Sequence, residues 1–148
     1  MRKIALLVLL AALVGCAAHP KPASQASFAP ASAAIDKKVT DDAVKKLAAL
    51  YPPALTRFEL QHAAADPFGT SLAAALREQG YALQEYKSAP TFGPDGKGAG
   101  RVLSWVFDQP VGTDLYRVTL KIGAQSLSRV YLAKDGSVAP AGYWVRKE

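Results

Sequence analysis

The 148 residues of the chain suit one globular domain, and 18 lysines and arginines against 12 aspartates and glutamates give a formal charge of +6. No run of basic residues is dense enough to indicate a nucleic-acid site, so we expect no direct nucleic-acid binding. The single cysteine excludes an intramolecular disulfide.

The first fifteen residues have the pattern of an export signal. Arg2 and Lys3 form a charged start, and the run from Ile4 to Val14 contains no polar side chain. A helix of this length would span only about 16 Å, roughly half of a bilayer core, so we expect a cleaved signal rather than a membrane-spanning helix. Without residues 1–15 the chain keeps 16 basic and 12 acidic residues, a formal charge of +4.

Directly after the apolar run, Leu13-Val14-Gly15-Cys16 resembles the lipobox of bacterial lipoproteins. The resemblance implies that Cys16 receives a diacylglyceryl group and becomes the first residue after cleavage. Two or three acyl chains together give lasting membrane attachment. Ala17, in place of an aspartate, implies the outer membrane, with the protein facing the periplasm. The alternative is an ordinary cleaved signal with an incidental cysteine, which would leave a lone thiol in an exported chain.

Residues 16–35 are mostly alanine, proline, serine, lysine and glutamine, with a lone Phe28. This composition cannot bury enough apolar area to offset the chain entropy. We therefore predict a flexible tether at 16–35 and a globular domain at 36–148. Phe28 is either inert or a short anchor that orders against a partner.

Capping signals predict two helices. Thr40 is a natural N-cap for a helix over Asp41–Leu50, whose aspartates would lie in the first turn. Asp66 is the N-cap of a second helix, with proline at its first position and Gly80 at its end. The apolar spacing within both segments fits one buried face.

The remaining segments predict strands. Leu55–Gln61 and Tyr81–Lys87 alternate in polarity, and the glycine-rich stretch at 88–100 predicts a mobile loop. The last third predicts a β-meander, with strands at Arg101–Asp108, Leu115–Ile122, Gln125–Leu132 and Val138–Val145. Pro140 makes the final segment an edge strand or an irregular tail. The predicted fold class is α+β, a small single domain with two helices packed on a mixed or antiparallel sheet.

No catalytic constellation is evident in the sequence. Once Cys16 is lipidated there is no free thiol, and His19 and His62 are the two histidines. Neither has metal ligands at a suitable spacing, and we interpret His62 as an ordinary surface residue. The glycines at 96–100 lack the spacing of a phosphate-binding loop. We expect no enzyme activity, no cofactor and no metal.

The C-terminal aromatic and basic residues are the candidate partner contacts. Tyr143, Trp144 and Arg146 are side chains of the types that anchor protein interfaces. The alternative is that Tyr143 and Val145 face the core while Trp144 covers a sheet edge.

The chain resembles the TrbH family, lipoproteins of the conjugative transfer (mating pair formation) apparatus. The motifs that carry the resemblance are the lipobox, Leu50-Tyr51-Pro52-Pro53, Asp66-Pro67-Phe68-Gly69, Asp114-Leu115-Tyr116-Arg117-Val118 and Pro140-Ala141-Gly142-Tyr143-Trp144-Val145. The resemblance implies a structural component of a type IV secretion channel at the outer membrane. It also implies contacts with other subunits of the outer-membrane ring, and it leaves homo-oligomerisation within the ring open.

Two other functions compete with this hypothesis. A stand-alone periplasmic binder or inhibitor would use the loop at 88–100, although such small proteins commonly brace their sheets with a disulfide. An enzyme would need a cleft built around His62 or a pair of carboxylates. The sequence favours the channel component.

Overall fold

The computed structural model describes residues 31–86 and 100–148. The predicted signal at 1–15, Cys16, Phe28 and nearly all of the predicted tether and 88–100 loop lie outside the described residues. The elements, in chain order, are α1 (Ala33–Leu50), a 3-10 turn (Pro53–Leu55), β1 (Arg57–Leu60), α2 (Pro67–Glu78), β2 (Ala82–Gln84), β3 (Arg101–Asp108), β4 (Leu115–Ile122), β5 (Gln125–Lys134), β6 (Ser137–Pro140) and β7 (Val145–Lys147).

The seven strands in the described residues form one open mixed sheet, which confirms the predicted α+β class. The strand order is β2-β1-β3-β4-β5-β6, and β7 pairs with β5 as well. β1 is parallel to both β2 and β3, whereas every later pair is antiparallel. A helix between β1 and β2 provides the crossover that a parallel pair requires.

The alternation of apolar and polar residues determines which face of the sheet is buried. In β3, Leu103, Trp105 and Phe107 are buried, and in β4 every second residue from Tyr116 to Ile122 is buried. The side chains between them, such as Arg117, point to the other face because neighbouring strand residues alternate in direction. The predicted bounds of β3 and β4 are confirmed.

The first helix is longer than predicted, and the proposed Thr40 cap is wrong. α1 begins at Ala33, and the Ser32 hydroxyl accepts a hydrogen bond from the Ile35 backbone nitrogen. Ile35 and Val39 are buried one turn apart, so the apolar face extends into the residues assigned to the tether. Residues 33–35 therefore belong to the folded domain.

The second helix begins as predicted. The Asp66 side chain accepts a hydrogen bond from the Gly69 backbone nitrogen at 2.9 Å, and Pro67 is the first helical residue. Phe68, Leu72 and Leu76 form its buried stripe against the core.

Four strand predictions need correction, the simplest being β5, which ends at Lys134 instead of Leu132. β1 is shorter than predicted, because Pro53–Leu55 forms a 3-10 turn, and β2 is reduced to Ala82–Gln84. The last segment is two strands instead of one. β6 ends at Pro140, and β7 begins at Val145. Both strands lie along the same edge of β5, so the prediction of an edge position is confirmed.

Candidate interaction site

The C-terminal candidates lie on a short segment that is fixed at both ends. β6 pairs with the end of β5 and β7 pairs with its beginning, which leaves residues 141–144 to bridge the two strands. The Ala141 backbone nitrogen donates to the Val130 carbonyl at 2.9 Å. The Arg129 Nε donates to the Gly142 carbonyl at 2.8 Å. The segment therefore has a defined conformation.

Arg129 also connects this segment to α1. Its Nη1 donates to both carboxylate oxygens of Asp42, at 3.1 and 2.8 Å, and the Tyr131 hydroxyl donates to Asp42 Oδ2 at 2.7 Å. The Arg129 guanidinium also lies over the Tyr131 ring, 5.9 Å from its centroid. Burial, followed by the hydrogen bond to Asp42, raises the pKa of the Tyr131 hydroxyl. We call Asp42, Arg129 and Tyr131 the clamp, because it joins helix, sheet and C-terminal segment.

The side chain of Tyr143 is exposed, although the clamp holds the neighbouring Gly142 in place. The Tyr143 side chain is 93% exposed and that of Val145 is 61% exposed, so the alternative in which both face the core is wrong. Trp144 is partly buried and packs against the core. Arg146 is exposed and forms an ion pair with Glu148 at 2.7 Å. The structure thus brings Tyr143, Trp144 and Arg146 together on one segment, whereas Phe28 lies outside the described residues.

A polar cluster around Trp105 was not predicted from the sequence. The His62 ring packs on the Trp105 indole, with centroids 4.1 Å apart, and the indole Nε1 donates to Asp66 Oδ2 at 3.3 Å. His62 Nε2 is buried without a hydrogen-bond partner among the described residues. His62 is therefore partly buried and packs on Trp105. It is not the ordinary surface residue that its position at a strand end suggested.

Gly69 permits this arrangement. A Cβ atom at this position would lie 2.5 Å from the Trp105 Cζ2 atom and 2.7 Å from Asp66 Oδ2. The first turn of α2 can therefore approach the indole closely only because residue 69 has no side chain.

Two buried polar residues of α1 face the same interior. Asp36 is 4% exposed, and burial, followed by repulsion from the Asp66 carboxylate, raises the pKa of Asp36. The Thr40 hydroxyl is buried and has no hydrogen-bond partner in the described part of the chain. Asp36 was not singled out from the sequence and Thr40 was assigned to the N-cap, because the helix was expected to begin at Asp41.

These groups do not form a recognisable catalytic or metal centre. Among residues 31–86 and 100–148, no three histidine, cysteine, aspartate or glutamate side chains are placed to hold a metal ion. The two carboxylate oxygens of Asp66 accept hydrogen bonds from the Gly69 backbone nitrogen and the Trp105 indole. This is the pattern of a structural helix cap. None of the helices in the described residues combines the length and the apolar character needed to cross a membrane.

The fold and the site define a single-domain α+β protein with a rigidly held, exposed aromatic residue near its C-terminus. The family model described as "Conjugal transfer protein TrbH" matches residues 19–148, and the chain therefore belongs to this family. No curated protein and no solved structure matches the chain significantly. Family membership gives the protein a role in conjugation, alongside other subunits of the transfer apparatus.

Proposed function

We propose that the protein is a lipid-anchored structural component of a conjugative type IV secretion (mating pair formation) apparatus. It stabilises the outer-membrane complex through contacts with other subunits. Membership of the TrbH family over residues 19–148 is the observation that carries this proposal. The family is not a known enzyme family, which favours a structural role over catalysis.

The anchor in this proposal is Cys16. The pattern Leu13-Val14-Gly15-Cys16 supports lipidation at the outer membrane, with the folded domain in the periplasm. Two or more acyl chains would hold the protein there, because each buried methylene contributes about 0.8 kcal/mol.

The contacts in this proposal come from Tyr143 and Trp144, with Phe28 as a further candidate in the anchor-proximal segment. Tyr143 is exposed on a segment that the clamp and two strand pairings hold in place. Little backbone entropy is lost when a segment that is already held in place binds, and aromatic side chains are frequent interface anchors.

The test replaces Cys16→Ser in cells that carry the transfer system and lack the wild-type gene. We expect the variant to leave the outer-membrane fraction and the plasmid transfer frequency to fall sharply. Ala18→Ser is the matched control, because it alters a neighbouring residue and keeps the lipobox cysteine.

Two outcomes would contradict the proposal. A Cys16→Ser protein that stays in the outer-membrane fraction would show that Cys16 is not the anchor. A variant that leaves the membrane while transfer frequency is unchanged would show that a lipid-anchored structural role is not required for transfer.

A further inference from the structure

The outward surface of α1 is rich in lysine. Lys37, Lys38 and Lys45 are exposed and Lys46 is partly exposed. Lys38 and Lys46 lie one turn before and one turn after Asp42, on the same flank of the helix. Among the aspartates near them, Asp41 forms an ion pair with Lys37 at 3.0 Å and Asp42 is bound by Arg129.

One C-terminal basic residue, Arg146, lies on the same side of the sheet as α1. The hydrogen bonds from Arg129 to Asp42 and to the Gly142 carbonyl place the C-terminal segment beside the flank that carries Lys38 and Lys46. Arg146 on β7 is exposed and pairs with Leu127, so it points to the face of the sheet that α1 covers, whereas Lys147 pairs with Ser126 and points to the opposite face. We call the following five residues the basic surface: Lys37, Lys38, Lys45, Lys46 and Arg146.

Charge is unevenly distributed over the described part of the molecule. Residues 31–86 and 100–148 contain 13 basic and 11 acidic side chains. The basic surface holds five of the basic ones, with Asp41, Glu78 and Glu148 as its acidic neighbours, while Asp42 and Arg129 neutralise each other. The remainder holds seven basic and seven acidic side chains. The basic surface is therefore positive and the rest of the described part is neutral, although the net charge is small.

We propose that the basic surface binds an anionic lipid surface and so orients the domain on the membrane. This inference rests on the proposed anchor at Cys16. Ala33, the first residue of α1, lies 17 positions after Cys16, so the helix begins within about 60 Å of the bilayer even for a fully extended chain. The tether makes the encounter intramolecular, so weak electrostatic attraction suffices. Tyr143, at the border of the basic surface, is then free to meet a neighbouring subunit.

The test uses the mature chain with Cys16→Ser, which has no acyl chains, and vesicles of phosphatidylethanolamine with or without phosphatidylglycerol. We expect binding only to the vesicles that contain phosphatidylglycerol, and we expect it to weaken as salt is added. Reversing two charges with Lys38→Glu and Lys46→Glu should lower the vesicle partition coefficient by about tenfold or more.

The matched control is the pair Lys121→Glu and Lys134→Glu. Both residues are exposed and lie outside the basic surface, and the pair changes the net charge by the same amount. We expect the control to bind nearly as well as the parent, with equal thermal stability of all variants.

Two results would overturn the inference: equal binding to both kinds of vesicle, or equal losses in the two double variants, which would reduce the effect to net charge. Because the assay contains neither the acyl anchor nor the transfer apparatus, its failure leaves the Cys16→Ser transfer experiment able to succeed. The reverse also holds, so the two proposals fail separately.

Discussion

Gly69 is the residue on which the contact between α2 and Trp105 depends. In most helix interiors a Gly→Ala change stabilises the helix by about 0.5–1 kcal/mol. Here the added methyl would overlap the indole and the Asp66 carboxylate. We expect Gly69→Ala to lower the free energy of unfolding by about 1–3 kcal/mol, measured by urea denaturation.

Gly142→Ala is the control for this change, because a Cβ atom there meets nothing within 4 Å. It should leave the free energy of unfolding nearly unchanged. A Gly69→Ala protein as stable as the parent would mean that Trp105 can move without cost, which contradicts the close packing described above.

The buried environment of Asp36 leads to a second prediction, which concerns how stability depends on pH. Its pKa is raised in the folded state, so folding disfavours the carboxylate and favours the acid. The resulting loss of stability is complete above the folded pKa and absent below the ordinary value of 3.8. We therefore expect Asp36→Asn to raise the melting temperature at pH 7, and the gain to shrink as the pH falls towards 3.8.

Thermal denaturation at a series of pH values measures this effect. Asp41→Asn is the control, because it removes an exposed carboxylate of the same helix, together with its ion pair to Lys37. That variant should show no gain at pH 7. An Asp36→Asn protein less stable than the parent at pH 7 would show that the ionised carboxylate stabilises the fold.

At the level of the elements, the clamp determines how α1 attaches to the sheet. Asp42→Ala removes three hydrogen bonds and leaves the largely buried Arg129 guanidinium without its carboxylate. We expect the free energy of unfolding to fall by about 2–3 kcal/mol. A double-mutant cycle with Tyr131→Phe in urea denaturation separates the tyrosine contribution.

Asp41→Ala is the neighbouring control, since its ion pair with Lys37 is exposed and should contribute no more than about 0.5 kcal/mol. If Asp42→Ala costs as little as Asp41→Ala, α1 is held by apolar packing alone and the clamp is unimportant for stability.

The sequence predicts some elements better than others for identifiable reasons. The bounds of β3 and β4 follow from strict alternation, and the start of α2 follows from Asp66-Pro67, a signal contained within a few residues. The start of α1 was misplaced because Thr40-Asp41-Asp42 resembles a cap. The contacts that extend the helix to Ala33 are tertiary, and the apolar residues Ile35 and Val39 are too few to show a period.

For the site, sequence composition identified Tyr143, Trp144 and Arg146 but not their orientation. Strand alternation alone would allow Tyr143 and Val145 to face inward, because the interruption of the strand at residues 141–144 is not visible in the sequence pattern. The clamp joins residues 87 and 89 positions apart, so no local signal could reveal it. Asp42 was expected only to complement a helix dipole.

At the scale of the whole molecule, the helices cover one face of the sheet, and the strands at the edges of the sheet are short. β2 and β7 have three residues each, and the β6–β7 edge carries Pro140 and two basic side chains. Short strands, proline and charge all disfavour edge-to-edge pairing with another sheet. Side chains such as Tyr143 are therefore better suited than backbone pairing to join this domain to its neighbours.

The clamp also has a mechanical consequence. A pull on the chain from the side of the N-terminus enters the domain at the first turn of α1. The hydrogen bonds of Asp42 to Arg129 and Tyr131 pass that force to β5, a strand paired on both sides. These bonds act in parallel and must rupture together before the part of α1 from Asp42 onward can be peeled from the sheet, so the turns before Asp42 yield first and the clamp halts the unravelling there.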